Sequence, residues 1–307
     1  MDRRMHPHVL SDRSPLTSTR WKPWLAVVMT LIGGSIGLMF LGRIRRGILW
    51  CCMHQAWHWI YVLWIVYGRP NRLIFCGLLI FFPVLWLARV LDTYTIACKP
   101  ISEPRRWYQR WYLYLAALLV GMIAWDMFIE LNHAYFSDVF LVPMRAMAKT
   151  VLPEDRIIVT KSPSNPIGVE HGDIVVFRTG SLEKPTLVTM RVVGLPGDRL
   201  RMEDRQLYRN GKAVDESAYA YYSGPSRSMK LDSFPETTVP EETYFVLGDN
   251  RNLAKDSRIH GPVSFQLHYG SAVYVYWSIF QSMSDAPEKP QITTGPLRWD
   301  RIGLPLK

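Results

Sequence analysis

The hydrophobic rhythm of the chain changes near residue 132. Before that point four long apolar stretches run through it, at roughly 23–41, 49–67, 73–91 and 112–131. Each comes near the roughly 20 residues that carry a helix across about 30 Å of hydrocarbon. The pattern predicts a polar tail over 1–22 and a membrane region over 23–131 with three to four transmembrane helices. The first stretch follows the tail and lacks the small-residue close of a cleaved leader. The second is the least apolar. Its start, Cys51-Cys52-Met53-His54-Gln55-Ala56-Trp57-His58-Trp59, is polar and Trp-rich, which suits the membrane surface as well as a crossing.

Beyond Asn132 short β-branched runs alternate with turn signals. Strands are predicted over 156–160, 173–178, 187–193, 206–208, 244–247 and 272–277. Asn210-Gly211 reads as a two-residue type I′ hairpin turn, and Leu195-Pro196-Gly197-Asp198 as a second turn. Residues 219–239, rich in Ser, Pro and Tyr, predict a long loop, and 287–307 a polar tail wrapping the surface. The expected fold is a set of N-terminal transmembrane α-helices followed by a mainly β domain over 132–307.

Charge sharpens this division. Of the formal net charge of +10, residues 1–130 carry +9 and the rest +1. The cationic excess lies between apolar runs, where membrane proteins keep it, so it argues against a nucleic-acid partner and for a lipid bilayer. With four crossings, one side receives Arg3, Arg4, Arg13, Arg20, Lys22, Arg69 and Arg72. The other receives Arg43, Arg45, Arg46, Lys99, Arg105, Arg106 and Arg110, with Arg89 leaning towards it. Seven against seven tips only slightly towards an extracytoplasmic β domain. All four cysteines lie before residue 99, which excludes a disulfide framework or a Cys-based zinc site in the β domain. His54 and His58 share a helix face near Cys51 and Cys52, a metal-compatible pattern that reads better as an interfacial aromatic belt. Asp126 and Glu130, one turn apart, sit where the fourth stretch returns to water and read as structural. No metal or cofactor is expected.

Four segments of the β half carry a resemblance. They are Val142-Pro143-Met144-Arg145-Ala146-Met147-Ala148-Lys149-Thr150, Gly172-Asp173-Ile174-Val175-Val176-Phe177, Arg191-Val192-Val193-Gly194-Leu195-Pro196-Gly197-Asp198, and Gly248-Asp249-Asn250-Arg251-Asn252-Leu253-Ala254-Lys255-Asp256-Ser257-Arg258. In this order they resemble the type I signal peptidase family, Ser-Lys membrane peptidases that cut secretory leaders. The resemblance implies a signal-peptidase-like β domain and nucleophilic acyl transfer: a serine attacks, a lysine kept neutral by burial takes its proton, and a hydroxyl with a backbone N–H holds the oxyanion.

Carried over residue by residue, that chemistry finds no reactive group. The nucleophile position is Ala146, the general-base position Met190, the oxyanion position Met144 and the lysine-orienting position Ala254. Lys149 stands where the family has a proline. Methyl and thioether groups neither attack a carbonyl nor take up a proton near neutral pH. Lys149, Lys255, Ser257 and His260 are the residues from which a relocated dyad would be built.

The framework persists in Arg191, Gly248, Asp249, Asp256 and Arg258, with Asp256 and Arg258 expected to pair. The family's peptide site maps to Phe140, Val142, Leu187 and Thr189, between two strands that receive an extended leader. Met144, Met147 and Met190 either line that cleft or fill it. The resemblance implies a protein of the bacterial inner membrane. Its partner would be an extended apolar peptide or an exported membrane or pilus subunit. The readings weighed are a catalytically silent homologue, an active maturation peptidase with a relocated dyad, and an architectural membrane component of a conjugation or pilus system.

Overall fold

The computed structural model describes residues 23–68, 71–99, 106–161, 168–181, 184–222, 229–283 and 292–306. The expected polar tail lies outside these, as do 223–228 of the expected loop and 287–291 and 307 of the expected C-terminal tail. The chain divides into two compact units, Met1–Trp57 with Phe81–Trp125, and His58–Ile80 with Asp126–Lys307. Three long helices contribute to both.

The helices are α1 (Pro23–Gly33), α2 (Ile36–Phe40), α3 (Ile44–Tyr67), α4 (Arg72–Ala97) and α5 (Trp111–Tyr135). The first apolar stretch differs from expectation: it is not one helix. It breaks at Gly33-Gly34, where Gly34 takes a positive φ of 63° that glycine adopts without strain. α2 then folds back on α1. A Cβ on Gly37 would stand 2.2 Å from the Ala26 carbonyl oxygen and 2.1 Å from Thr30 Oγ1. In a straight helix residues eleven apart are separated by about 16 Å. Ala26, Leu38, Phe40 and Leu41 of this hairpin bury their side chains with Ile96 and Ala97 at the end of α4.

α3 and α4 run antiparallel. In the first unit Trp50 Nε1 donates to Asp92 (2.9 Å), Arg46 pairs with Asp92 (3.2 Å), and Trp57 lies 4.5 Å from Phe81 between ring centres. In the second unit Tyr61 meets Phe75. α4 and α5 have the length and mean hydropathy, 2.3 and 1.8, to cross a membrane. α3 is 24 residues long and more polar. His54 Nδ1 lies 2.9 Å from the Trp50 carbonyl oxygen, and the His58 ring stands edge-on to Phe128.

The second unit is mainly antiparallel sheet. Its strands are β1 (Ser137–Val142), β2 (Asp155–Lys161), β3 (Ile174–Ser181), β4 (Lys184–Gly194), β5 (Arg199–Glu203), β6 (Gln206–Arg209), β7 (Lys212–Ala213), β8 (Phe234–Thr238), β9 (Thr243–Leu247), β10 (Val263–Ser264), β11 (His268–Met283) and β12 (Ile292–Leu297). The large sheet runs β1-β2-β11-β3-β4-β9-β10 with β12 on β11, and the small one β7-β6-β5-β8. Successive residues of β3 face opposite sides, as strand geometry requires. Val176 joins a core with Val142, Met147, Ile157 and Val275, while Val175 joins one with Phe177, Val188, Met190 and Val246. Asn210 and Gly211 have φ of 53° and 78°, the type I′ geometry expected there.

Two segments expected to be irregular are not. Residues 219–239 contribute α6 (Met229–Asp232) and β8, whose Phe234 stacks on Phe245. Residues 287–307 contribute β12 and the fully buried Leu306. Both strands are short and lie beside one neighbour, so they need no alternating apolar face.

The α3–α4 connection packs on the large sheet. Tyr274 of β11 stacks between Trp64 and Phe75, and its hydroxyl accepts from the Asn71 backbone N–H (2.7 Å). Arg72 donates to the carbonyl oxygens of Ile302 and Trp299.

Candidate functional site

A tight turn after β1 carries residues 144–150. The segment after β9 reaches it: the Asn250 backbone N–H donates to the Ala146 carbonyl oxygen (2.9 Å). Glycine is required at 248 for this approach. A Cβ there would come within 2.3 Å of Ala254 Cβ and 2.8 Å of the Ala146 carbonyl oxygen. Ala146 and Ala254 are thus neighbours across one glycine.

Met190 lies on β4, packed among Val175, Phe177 and Val246 with 4% of its surface exposed. Met144 stands at the mouth, 41% exposed. Met144, Ala146 and Met190 line a common groove of about 570 Å³.

A second, narrow cleft adjoins this groove at Met144 and Ala146. Phe140, Val142, Leu187 and Thr189 all line it, with about 40 Å³ of open volume. β1 pairs with β2 on one side only. β4 pairs with β3 from Lys184 to Arg191, but its pairing with β9 begins only at Arg191. Among the described residues, the outer edges of β1 and of Leu187–Met190 therefore lack strand partners. Such edges offer unsatisfied N–H and C=O groups to an added strand.

Beneath the turn lie buried ion pairs. Asp256 and Arg258 pair as expected, through Nε to Oδ1 (2.9 Å) and Nη2 to Oδ2 (2.8 Å). Asp256 also caps the short helix α7 (Ser257–His260) and accepts from the Gly248 N–H (3.1 Å). Sequence reasoning missed two further pairs. Arg191 grips Asp249 with two 2.8 Å bonds, gives a third to the Gly172 carbonyl oxygen (2.6 Å), and stacks over Tyr219. Arg251 forks onto Glu216 (2.9 and 2.6 Å) and donates to the Gly248 carbonyl oxygen. Burial pulls the Arg251 pKa down, but Glu216 outweighs it and leaves the guanidinium more basic than usual. Tyr219 is pushed up to about 12, by burial first and then by Glu216. These partners stand 58 and 35 residues apart, and no local spacing announces them.

Of the four substitute groups, Ser257, Lys255 and His260 line the larger groove. Ser257 Oγ accepts from the Val246 N–H (3.0 Å). Lys149 instead donates to the Ser217 carbonyl oxygen (3.2 Å). Among the described residues no group of three His, Cys, Asp or Glu side chains is gathered for a metal.

A family model, described as signal peptidase, peptidase S26, matches residues 109–277, more than half of the chain. The chain belongs to the signal peptidase S26 family. Its similarity extends to a probable signal peptidase I-2 of Synechocystis, 30% identical across 55% of this chain and 77% of that protein. A signal peptidase I of Bacillus caldolyticus is 30% identical across 56% of this chain and 92% of that one. A solved signal peptidase I from Enterococcus faecalis V583 matches at 30% identity over 34% of this chain and 95% of the other, with a TM-score of 0.28. Family membership supports a signal-peptidase-like function, and the two apolar helices fit a membrane-anchored protein.

Proposed function

We propose that this family member is a catalytically silent, membrane-anchored peptide-binding protein. It holds extended apolar segments of exported proteins by strand addition and does not cut them. The observation that carries the reading is the pair of open strand edges, β1 and Leu187–Met190, flanking the turn of Ala146. Main-chain pairing there needs no catalytic side chain. The positions that the family's chemistry uses hold Ala146, Met190, Met144 and Ala254, and none of these performs nucleophilic or proton-transfer chemistry.

The test is binding and cleavage of a leader-type peptide by full-length protein in detergent. The native chain is expected to bind without cutting. The A146S/M190K double variant is expected to gain slow cleavage, because the cleft already admits the peptide. Cleavage by the native chain, with contaminating peptidase excluded, would overturn the reading.

A relocated dyad is the second reading, favoured by Ser257, Lys255 and His260 sharing the groove with Ala146. Acylation of Ser257 by a serine-directed β-lactam would establish it.

We infer an orientation from the folded-back first stretch. With α1 and α2 as a re-entrant hairpin and α3, α4 and α5 crossing, the tail and the α4–α5 connection lie on one side, and the β domain lies opposite. Arg3, Arg4, Arg13, Arg20, Lys22, Arg43, Arg45, Arg46, Lys99, Arg105, Arg106 and Arg110 fall on the first side, twelve in all. Only Arg69 and Arg72 fall on the second. The positive-inside rule then favours an extracytoplasmic β domain. Single-cysteine labelling on a cysteine-free background tests it. Position 20 should react from the cytoplasmic side only, and exposure of both position 20 and the β domain on one face would refute it.

A further inference from the structure

The turn that carries Ala146 is not held by its own residues alone. Lys149 within it has a φ of 92°, a strained conformation for any residue with a side chain, and one that the surroundings must impose. The family's proline at this position fixes φ near about −65° and cannot take that conformation. The turn of this chain therefore needs fixing points of its own. Inside it, the Thr150 and Val151 N–H groups both donate to the Met147 carbonyl oxygen (3.1 and 2.9 Å). From the framework, Arg191 Nη2 donates to Thr150 Oγ1 at a long 3.4 Å.

The most buried fixing point comes from the segment after β12. A 3₁₀ turn over Trp299–Arg301 places the buried Arg301 beneath the site. Arg301 Nη2 donates to the Thr150 carbonyl oxygen (2.7 Å) and to Asp155 Oδ2 (2.6 Å), and its Nε donates to the same carboxylate (3.1 Å). Bonds of this kind, charged on both sides, are the stronger ones. Asp155 is fully buried and also accepts from the Leu152 N–H (2.8 Å) and the Ser278 hydroxyl (2.5 Å). Arg298 adds a bond to the Pro153 carbonyl oxygen (3.1 Å). One guanidinium thus ties the end of the Ala146 turn to the first residue of β2, which is paired with Val142 of the cleft.

We infer that Arg301 is a positioning residue for the peptide site. By holding Thr150 against Asp155 it sets the shape in which the turn presents Met144, Ala146 and Met147 to the cleft. This rests on the peptide-binding reading above and adds what keeps that site in its binding shape. Arg301 lines neither the cleft nor the groove, so its effect on a bound peptide passes through the turn.

The experiment compares the native full-length protein in detergent with R301Q and with D155L/R301L. It measures the dissociation constant of a fluorescent leader-type peptide, Tm, and amide hydrogen exchange at Thr150 and Val151. R301Q leaves Asp155 buried without its counter-charge, so Tm should fall; the double variant removes both charges and should recover most of it. Neither variant holds the Thr150 carbonyl oxygen. Both are therefore expected to bind peptide at least about tenfold more weakly than the native chain, the scale of one lost charge-assisted bond. Both should also exchange the two amides faster. A double variant that regains native affinity along with Tm would show that Arg301 acts through stability alone, and would overturn the inference. Native affinity in R301Q would overturn it too. Native protein that binds no peptide would overturn the peptide-binding reading, whereas unchanged exchange at Thr150 and Val151 in both variants would overturn the hold on the turn itself.

Discussion

Removing Asp249 isolates the energetics of the framework from those of peptide binding. Asp249 and Arg191 are 0% and 3% exposed in their side chains and meet through two 2.8 Å bonds. In D249L the Arg191 guanidinium stays buried, holding the Gly172 carbonyl oxygen and the Tyr219 ring but no counter-charge. Breaking one side of such a pair costs about 3–5 kcal/mol, whereas replacing both partners by apolar groups is often close to neutral. For a domain of this size about 1 kcal/mol corresponds to about 2–4 °C in Tm. The expected loss in D249L is therefore on the order of 6–20 °C. An R191L/D249L double variant should recover most of it. Thermal unfolding of the β domain in detergent, followed by near-ultraviolet circular dichroism, measures both. A loss under about 2 °C in D249L, or a double variant no better than the single, would show that the pair does not bear the load assigned to it.

The remaining predictions concern packing and pH. His268 is buried, its Nε2 without a partner among the described residues and its Nδ1 3.2 Å from the Tyr244 hydroxyl, and burial lowers its pKa to about 4. The folded state thus binds this proton less readily than the unfolded chain. Stability is fully present above about pH 6.5 and falls as pH drops from there towards 4, at up to about 1.4 kcal/mol per pH unit. An H268F variant should flatten that slope in a thermal-unfolding series. G248A should cost several °C in Tm and weaken peptide binding, since its Cβ would press on Ala254 and on the Ala146 carbonyl oxygen; unchanged binding would contradict the close approach. M190K places an amine at a site 4% exposed. Burial lowers its pKa below that of the unfolded chain, so the variant should be more stable near pH 10 than at pH 7, and a pH-independent Tm would show that the side chain escapes to solvent.

Local chemistry made much of the β domain legible. Asn210-Gly211 fixes a turn by itself, and the β-branched runs around Val175 and Val192 declare strands whatever they pack against. The first apolar stretch misled because hydropathy does not register direction. Gly33-Gly34 reverses the chain while every flanking residue stays apolar. β8 and β12 were hidden because edge strands carry little alternation. Ala146, Met190, Met144 and Ala254 were singled out through the family resemblance, and the structure gathers Met144, Ala146 and Met190 around one groove. The hold of Arg301 on the Ala146 turn was not readable, because Asp155 and Thr150 stand 146 and 151 residues from it.

The seating of Tyr274 between Trp64 and Phe75 bears on how this protein can be handled. A chain shortened to begin at residue 132 would lose both aromatic covers together with Ile65, and would expose Ile158 and Tyr274, now 3% and 1% accessible. Bare apolar surface of this kind drives self-association. Soluble fragments cut at the apparent domain border should therefore precipitate during purification. A fragment that keeps the α3–α4 hairpin, or carries polar replacements at those two positions, is the better starting point for crystallisation.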